Sequence, residues 1–213
     1  MKIFWYGHAC FLLQSEGCRL VTDPFGPEVG YPMPGLSADI VTVSHEHYDH
    51  NAVKAVRGKP TVIRGAGSHE AAGVRVTGIP TYHDRSHGKE RGTNTVFIIE
   101  MEGIRIVHLG DLGHVLSFEQ VEGIGAVDVL LVPVGGRFTI DAEEAAATVS
   151  QLRPRITIPM HFQTPHLSFE LAPVEGFLRR FERVTKVPYL EIDADKLDEE
   201  QRVVVLDYLH PAR

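Results

Sequence analysis

The sequence predicts an α+β fold in which two β-sheets pack together and helices lie outside them. The first half of the chain reads as short strands with little helix, whereas the second half alternates helices with strands. The apolar runs at 127–134 and 156–160 are too uniform to alternate between buried and exposed positions. Both faces of those strands are therefore expected to be covered.

The strands of the first half are short apolar or alternating segments bounded by turn residues. Glu102-Gly103 is placed to form a tight hairpin turn, and the Gly/Pro-rich stretch 25–38 is typical of a surface loop. The predicted strands are 2–6, 9–14, 18–23, 39–44, 60–64, 74–82, 94–101 and 104–109.

The second half carries clearer helix signals. Asp141 is a natural N-cap, Glu144 stands three residues on as in a capping box, and Pro154 ends the helix predicted at 142–152. No linker divides the chain, so residues 1–213 are expected to form one domain. The other predicted elements are helices at 117–123 and 173–182 and strands at 127–134, 156–162, 188–192 and 202–208.

Composition limits the classes of protein to consider. The 213 residues contain 43% apolar and 23% charged residues, which is ordinary for a folded chain and argues against disorder. With 21 Lys+Arg against 28 Asp+Glu, the net charge is −7, so a nucleic-acid partner is not expected. No apolar run is long enough to cross a bilayer, and the N-terminus lacks the features of a signal peptide. A membrane partner is therefore not expected either.

The two cysteines point to a reducing compartment. Cys10 and Cys18 fall on neighbouring predicted strands, and a disulfide between them would need a register different from the one the turn at 15–17 predicts. Both are expected to be buried free thiols in a cytoplasmic protein.

Histidine is the residue type that stands out, with 12 copies in the chain. The apolar strand 39–43 runs directly into Ser-His-Glu-His-Tyr-Asp-His at 44–50. In an extended segment His45 and His47 point to the same side, and Asp49 and His50 can converge on that point as the chain turns. Three imidazoles with a carboxylate, and no thiolate, favour Zn, Mn or Fe over Ca or Mg.

Three further residues share one pattern, a ligand-type side chain at the end of a predicted strand. They are His83, Asp111 and His161. Loops held by a rigid sheet are where metals and substrates usually bind. With the cluster at 45–50 they make seven candidate ligands, which is too many for one tetrahedral ion and suits two.

This order of residues resembles the metallo-β-lactamase superfamily of binuclear hydrolases, whose pattern is HxHxDH followed by single His, Asp and His residues. The resemblance spans residues 1 to about 162. Gly7-His8-Ala9, Thr22-Asp23-Pro24-Phe25, Gly110-Asp111 and Pro159-Met160-His161-Phe162 are similar to the small branch that includes the ascorbate-6-phosphate lactonase.

The resemblance implies a four-layer αββα sandwich of two mixed sheets, with two divalent metal ions, Zn or alternatively Mn or Fe, at one edge. It places one ion at His45, His47 and His83, and the other at Asp49, His50 and His161, with Asp111 bridging. A hydroxide shared by the two ions would be the nucleophile, and Asp49 would orient it and accept its proton. His87 competes with His83 as a ligand, and His83 is preferred because it closes a strand.

The remaining histidines have open roles. His8 has a role in catalysis, supporting a ligand or contacting substrate, or is simply buried and hydrogen-bonded. His114, on a loop beside the metals, is a candidate substrate contact or general acid. Asp23 and Asp84 either accept the second N–H of a ligand histidine or cap turns. His108 is expected to be structural, His166 to line the mouth of the site, and His69 and His210 to be exposed loop or terminal residues.

The segment 83–94 is net positive and adjoins a candidate ligand. It is either a solvated loop or a mobile flap whose Arg91 and His87 meet an anionic substrate group. Arg137, after Gly135-Gly136, is a second candidate for contact with an anion.

The function predicted from these residues is hydrolysis of a small anionic ester, lactone or phosphodiester. The alternatives are a nuclease-like phosphodiesterase and an iron-dependent redox protein on the same scaffold. Neither the substrate nor the oligomeric state follows from the sequence.

Overall fold

The computed structural model describes residues 1–32, 35–198 and 200–208, and within them the chain forms two β-sheets, three α-helices and three short 3₁₀-helices. The α-helices are α1 (Phe118–Ile124), α2 (Ala142–Leu152) and α3 (Glu175–Leu178). The strands are β1 (Lys2–Gly7), β2 (Cys10–Gln14), β3 (Arg19–Thr22), β4 (Ile40–Val43), β5 (Thr61–Arg64), β6 (Gly67–Ala71), β7 (Val74–Tyr82), β8 (Thr93–Met101), β9 (Ile104–His108), β10 (Val129–Pro133), β11 (Ile156–Met160), β12 (Val184–Val187), β13 (Leu190–Glu191) and β14 (Arg202–Leu206).

Both sheets are mixed, as predicted. The first has the order β13-β1-β2-β3-β4-β5 and the second β12-β14-β11-β10-β9-β8-β7-β6. In the first, β1, β2 and β3 are antiparallel neighbours, and β3, β4 and β5 run parallel. In the second, β6 to β9 are antiparallel, and the strands from β9 to β12 in the sheet order are parallel.

The inner faces of the two sheets share a large apolar core. Because side chains alternate along a strand, Phe11 and Leu13 of β2 face this core, whereas Cys10 and Leu12 face the other side. Helix α2 adds Val149 to the same core. The predicted α+β sandwich is therefore confirmed, with the three α-helices all following β9 in the chain.

The outer face of the six-stranded sheet is covered by irregular chain and a 3₁₀-helix at Pro27–Val29. Phe25, Val29 and Tyr31 are each at most 2% exposed. The expectation of a surface loop at 25–38 is therefore wrong for these side chains. An apolar outer face needs a covering layer, and this segment supplies part of it.

Helix α2 has the bounds that the sequence predicts, because its local signals are strong. The Asp141 side chain accepts hydrogen bonds from the N–H groups of Glu143 and Glu144, and Glu144 reaches back to the Asp141 N–H. Arg153 ends the helix in a left-handed conformation just before Pro154.

Other boundaries differ from the prediction. Strands β6 and β12 were not predicted, since both are largely exposed and lack apolar alternation. The helix predicted at 173–182 is the short α3, and the strand predicted at 188–192 is reduced to β13. Cys10 and Cys18 are buried and free, as expected.

Candidate metal centre

Six strands end at the same edge of the sandwich, and each is followed by a polar residue. In the first sheet β1, β3 and β4 run in one direction and lead into His8, Asp23 and the segment 44–50. In the second sheet β7, β9 and β11 run in one direction and lead into His83, Asp111 and His161. Strand direction therefore brings together residues that are far apart in the chain.

Asp111 lies at the middle of this cluster. Its Oδ2 atom is 3.2 Å from His83 Nε2, 3.3 Å from His50 Nε2 and 3.3 Å from His161 Nε2. His45 Nε2 is 3.9 Å from the same oxygen. One carboxylate oxygen thus faces imidazoles from both sheets.

Two groups of ligand-type residues around Asp111 contain the predicted ligands, and a third group joins Asp23 to His45 and His50. Ligand atoms of His45, His47 and His83 lie within 4.8 Å of one another, and so do those of His8, Asp49, His50 and His161. All seven predicted ligands are therefore brought together, and His8 joins them. Of the seven predicted ligands, His47 is exposed, Asp49 is half-buried and the other five are buried.

The buried polar atoms of the cluster fit a metal site. Within the described residues, several ring nitrogens and one carboxylate oxygen are buried and lack a hydrogen-bond partner. They are His8 Nδ1, His83 Nδ1, His161 Nδ1, His161 Nε2 and Asp111 Oδ1. Ring nitrogens also face each other closely, with His45 Nε2 3.1 Å from His47 Nδ1. Buried polar groups normally have partners, and divalent cations would satisfy His161 Nε2 and Asp111 Oδ1. The three Nδ1 atoms belong to rings whose Nε2 atoms face the cluster.

The electrostatics agree with a cation site. Burial lowers the pKa of His45 to about 3, aided by the charge of His50, and burial with the charge of His161 lowers that of His8 to about 4. For His50 burial acts in the same sense, but the carboxylates of Asp111 and Asp23 raise its pKa well above the usual value. Although burial disfavours the ionised Asp111, the neighbouring His161 and His50 hold its pKa well below the usual range. The site therefore stabilises positive charge between ionised carboxylates.

Asp23 supports the cluster from beneath, which is one of the two roles predicted for it. Its Oδ2 lies 2.9 Å from His50 Nδ1, and it accepts hydrogen bonds from the Ser44 N–H at 2.7 Å and the Ser44 hydroxyl at 2.5 Å. The same hydroxyl is 3.0 Å from His45 Nδ1. Asp23 thus fixes the ring of His50 and the start of the segment that carries His45 and His47.

Asp84 takes the other predicted role and organises a turn. Its carboxylate accepts the backbone N–H groups of Ser86, Gly88, Glu90 and Arg91 at 2.7–3.0 Å. Burial opposes ionisation, but these N–H groups lower the pKa of Asp84 to about 2. The segment 84–91 is therefore tied to one carboxylate rather than loosely solvated.

This turn also separates the two histidines that competed as ligands. His83 enters the cluster, whereas His87 is exposed, with its ring 5.3 Å from that of Tyr82. His87 lies outside both ligand groups and the cleft described below. The geometry favours His83 as the ligand and does not favour a substrate contact by His87.

His114 and His108 are held by the backbone. The Tyr82 N–H donates to His114 Nε2 at 3.2 Å, and His114 Nδ1 lies 2.9 Å from the Val115 carbonyl. This arrangement does not favour the predicted role of His114 as general acid, because both ring nitrogens are engaged. In the same way His108 contacts the Ala9 carbonyl at 3.0 Å and the Gly110 N–H at 3.2 Å, which agrees with its predicted structural role.

Three other histidines lie elsewhere. His69 is half-buried in β6, so its prediction as an exposed loop residue is wrong. His166 packs its ring 5.0 Å from that of Tyr208, outside the lining of the cleft described next. His210 lies outside the residues that the structure describes.

A cleft of about 500 Å³ opens onto the cluster. Its lining contains His47, Asp49, His83 and Asp111 from the cluster together with Tyr48, Arg91, Phe138 and Phe169. A neighbouring recess of about 390 Å³ also borders His47 and Arg91. The two aromatic side chains, Phe138 and Phe169, were not predicted, because nothing local to positions 138 and 169 marks them.

Arg91 is positioned in this cleft by two contacts. Its backbone N–H donates to Asp84 Oδ2 at 2.8 Å, and the central carbon of its guanidinium group lies 5.0 Å from the centre of the Phe138 ring. Arg91 forms no ion pair with any carboxylate in the part of the chain that the structure describes. Arg137 also contacts the Phe138 ring, at 5.2 Å, but it is exposed, donates to the Glu170 carbonyl and does not line the cleft. The predicted anion contact is thus favoured for Arg91 and not for Arg137.

Comparison with known proteins identifies the family. Residues 2–161 match the β-lactamase superfamily domain. The chain belongs to the metallo-β-lactamase superfamily. Within this superfamily it is 33% identical over 206 residues to a UPF0173 protein of Pyrococcus abyssi, covering 86% of this chain and 91% of the relative. A UPF0173 metal-dependent hydrolase of Methanoregula boonei is 30% identical over 208 residues, covering 87% and 91%.

A solved superfamily structure from Thermotoga maritima agrees with this assignment. It carries the name of a Zn-dependent hydrolase, is 45% identical, and superimposes with a TM-score of 0.82 over 96% of this chain and 97% of its own. The chain is accordingly a metal-dependent hydrolase with the metallo-β-lactamase fold. No helix among residues 1–32, 35–198 and 200–208 is long and apolar enough to cross a membrane.

Proposed function

We propose that this protein is a binuclear hydrolase that acts on a small anionic ester, lactone or phosphodiester. The observation that supports two ions is the position of Asp111. Its Oδ2 lies 3.2 Å from His83 Nε2 in one group of ligand-type residues and 3.3 Å from His50 Nε2 in the other. A carboxylate between two such groups is suited to bridge two cations.

In this proposal His45, His47 and His83 would hold one ion, Asp49, His50 and His161 would hold the other, and Asp111 would be shared by both. Imidazole and carboxylate donors suit Zn²⁺, with Mn²⁺ and Fe²⁺ as alternatives. When bound, such ions lower the pKa of water and polarise the substrate oxygen, which supplies a nucleophile at neutral pH.

Asp49 is the residue proposed to orient the attacking water and take up its proton. It is half-buried and lines the cleft, so its carboxylate can meet both water and substrate. Burial opposes its ionisation, but His8, 3.1 Å away, and His50 lower the pKa of Asp49 and keep it ionised. An ionised carboxylate accepts a hydrogen bond from water, which fixes the direction of a lone pair.

Arg91 is proposed to bind the anionic group of the substrate. Its guanidinium has no carboxylate partner among the described residues and borders the same cleft as His47 and Asp49. Phe138 and Phe169 would contact the apolar part of the same molecule. The expected partner is a small molecule, and neither nucleic acid nor membrane is proposed, given the net charge of −7.

The test begins with metal analysis of the purified protein, followed by a screen of lactones, thioesters, phosphodiesters and sugar phosphates with Zn, Mn and Fe. We expect about two metal ions per chain and turnover of an anionic substrate. The His45→Ala/His47→Ala double variant should lose metal at one site and most turnover. His69→Ala is the control, because His69 belongs to neither ligand group.

Three outcomes would contradict the proposal. If the double variant keeps both its metal content and its activity, the assignment of His45 and His47 as ligands is wrong. Faster turnover of a nucleic acid, added to the screen, than of any of these small molecules would favour the nuclease-like alternative. A single tightly held iron with oxygen-dependent turnover would favour the redox alternative.

A further inference from the structure

The backbone of His8 is fixed by contacts that do not involve its ring. It follows β1 in a left-handed conformation, with φ 52°. Its carbonyl accepts hydrogen bonds from the Trp5 indole at 3.0 Å and from the His161 N–H at 3.1 Å. The preceding Gly7 has φ 103°, and a Cβ there would lie 2.4 Å from the Tyr31 ring. These contacts fix the position of the His8 backbone, and they link this residue to the end of β11, which leads into His161.

The ring of His8 forms a different kind of hydrogen bond from the rings of His108 and His114. His108 and His114 each use both ring nitrogens on backbone groups. In His8, Nδ1 has no hydrogen-bond partner among the described residues, as is also true of His83 Nδ1 and His161 Nδ1. Among residues 1–32, 35–198 and 200–208, the Nε2 atom of His8 forms hydrogen bonds only with members of the cluster, Asp49 and His50. In this respect His8 is like the proposed ligands.

The distances around His8 Nε2 match the spacing of ligands around one ion. His8 Nε2 is 3.1 Å from Asp49 Oδ2 and 3.1 Å from His50 Nε2, and these two atoms are 3.7 Å apart. With Asp111 the ion would have five protein ligands, and metal–ligand bonds of about 2.0–2.2 Å at angles of about 90–120° place neighbouring ligands about 2.8–3.8 Å apart. His161 belongs to the same group, whose four ligand atoms all lie within 4.8 Å of one another, and Asp111 Oδ2 lies 3.3 Å from both His50 Nε2 and His161 Nε2.

We propose that His8 is a protein ligand of the metal ion held by Asp49, His50 and His161. This inference rests on the proposed metal site but not on the reaction or the substrate. The competing explanation is that His8 only donates a hydrogen bond to Asp49 and orients that carboxylate. The two explanations predict opposite effects of two substitutions at position 8.

The test compares His8→Glu with His8→Gln. Both side chains reach about as far as a histidine ring, but a carboxylate binds a divalent cation well and an amide binds it weakly. If His8 is a ligand, His8→Glu should bind the ion at Asp49, His50 and His161 more tightly than His8→Gln does. The affinity of His8→Gln for this ion should fall more than about 100-fold below that of the wild type. If His8 only donates to Asp49, the order reverses, because an amide N–H can donate and a second carboxylate repels Asp49.

The measurements are titration of Zn²⁺ and Co²⁺ against a competing chelator and the absorption spectrum of the Co²⁺-loaded protein. His69→Gln is the matched control and should leave both unchanged. Circular dichroism of the metal-free variants checks that each one folds. Tighter binding by His8→Glu than by His8→Gln, with an altered Co²⁺ spectrum in His8→Gln, supports the proposal. Binding by His8→Gln as tight as that by His8→Glu overturns it.

The wild-type stoichiometry is read in the same titration, so a failure of the two-ion proposal is seen separately. Hydrolysis is not used as a readout. If the protein does not hydrolyse the proposed class of substrate, the metal titration still decides whether His8 is a ligand.

Discussion

Asp23 Oδ2 lies 2.9 Å from His50 Nδ1, and both side chains are fully buried. The pair joins the end of β3 to the segment after β4. Because the other nitrogen of His50 faces Asp111, the carboxylate of Asp23 sets both the orientation of the ring and the position of its proton.

Replacing Asp23 with asparagine should weaken metal binding about 10–100-fold. The amide keeps the shape but removes the charge that favours a proton on His50 Nδ1. The measurement is chelator competition on the purified variant. The control is Asp39→Asn, because Asp39 is exposed and its carboxylate accepts only from the Arg19 N–H in the hydrogen bonds described. Equal affinities in Asp23→Asn and wild type would contradict the prediction.

Arg91→Gln should raise KM for an anionic substrate about tenfold, equivalent to about 1.4 kcal/mol. A neutral ester with the same scissile bond should be affected much less. Arg85→Gln is the matched control, because it removes the same charge from the same segment. Arg85 pairs with Glu144 and does not line the cleft. Steady-state kinetics on both substrates check this, and equal increases in KM for both would count against anion binding by Arg91.

Gly110→Ala should disturb the centre through a steric clash, in addition to the cost of placing an alanine in a left-handed conformation. A Cβ at this position would lie 2.4 Å from Asn94 Oδ1 and 2.6 Å from Ser44 Cβ, and Asn94 Oδ1 accepts the N–H of Asp111. Overpacking of this kind costs about 1–3 kcal/mol, which corresponds to a fall in Tm of about 2–12 °C. We also expect weaker metal binding, because Asp111 and the segment after Ser44 must shift.

The control for Gly110 is Gly92→Ala. Gly92 also has a positive φ, 90°, but a Cβ there meets nothing within 4 Å. Both variants carry the cost of a left-handed alanine, so the difference between them measures the clash. Thermal unfolding followed by circular dichroism reports it, and equal losses of Tm would show that the contacts around Gly110 are unimportant.

Removal of the metal should lower thermal stability. Free metal at about 100 times its Kd stabilises a folded protein by about 2.7 kcal/mol per site, or about 5–11 °C in Tm for a chain of this size. Chelation should therefore lower Tm, and added Zn²⁺ should restore it. The shift should be smaller in His45→Ala/His47→Ala and unchanged in His69→Ala. A wild-type Tm that chelation does not alter, once metal loss is verified, would contradict metal binding by the folded state.

Several features were predictable because their signals are local. The bounds of α2 follow from Asp141, Glu144 and Pro154, which lie within 14 residues of one another. The ligand-type residues His83, Asp111 and His161 each follow an apolar strand, and parallel strand direction places such ends together. The seven candidate ligands could thus be named from the order of residues and a resemblance to one superfamily, and the structure brings them together.

The order of residues was enough to predict the type of fold, the residue types of the candidate ligands and the edge of the sandwich at which they gather. Which of the other polar residues lie against the cluster depends on the tertiary structure. His8 and His50 are 42 positions apart, and Arg91 reaches Phe138 across 47 positions. Such contacts depend on strand order and on how loops cross the sheet edge, and no local pattern encodes them. For the same reason His114 and His87, although close to ligands in sequence, turn to the backbone and to Tyr82 instead.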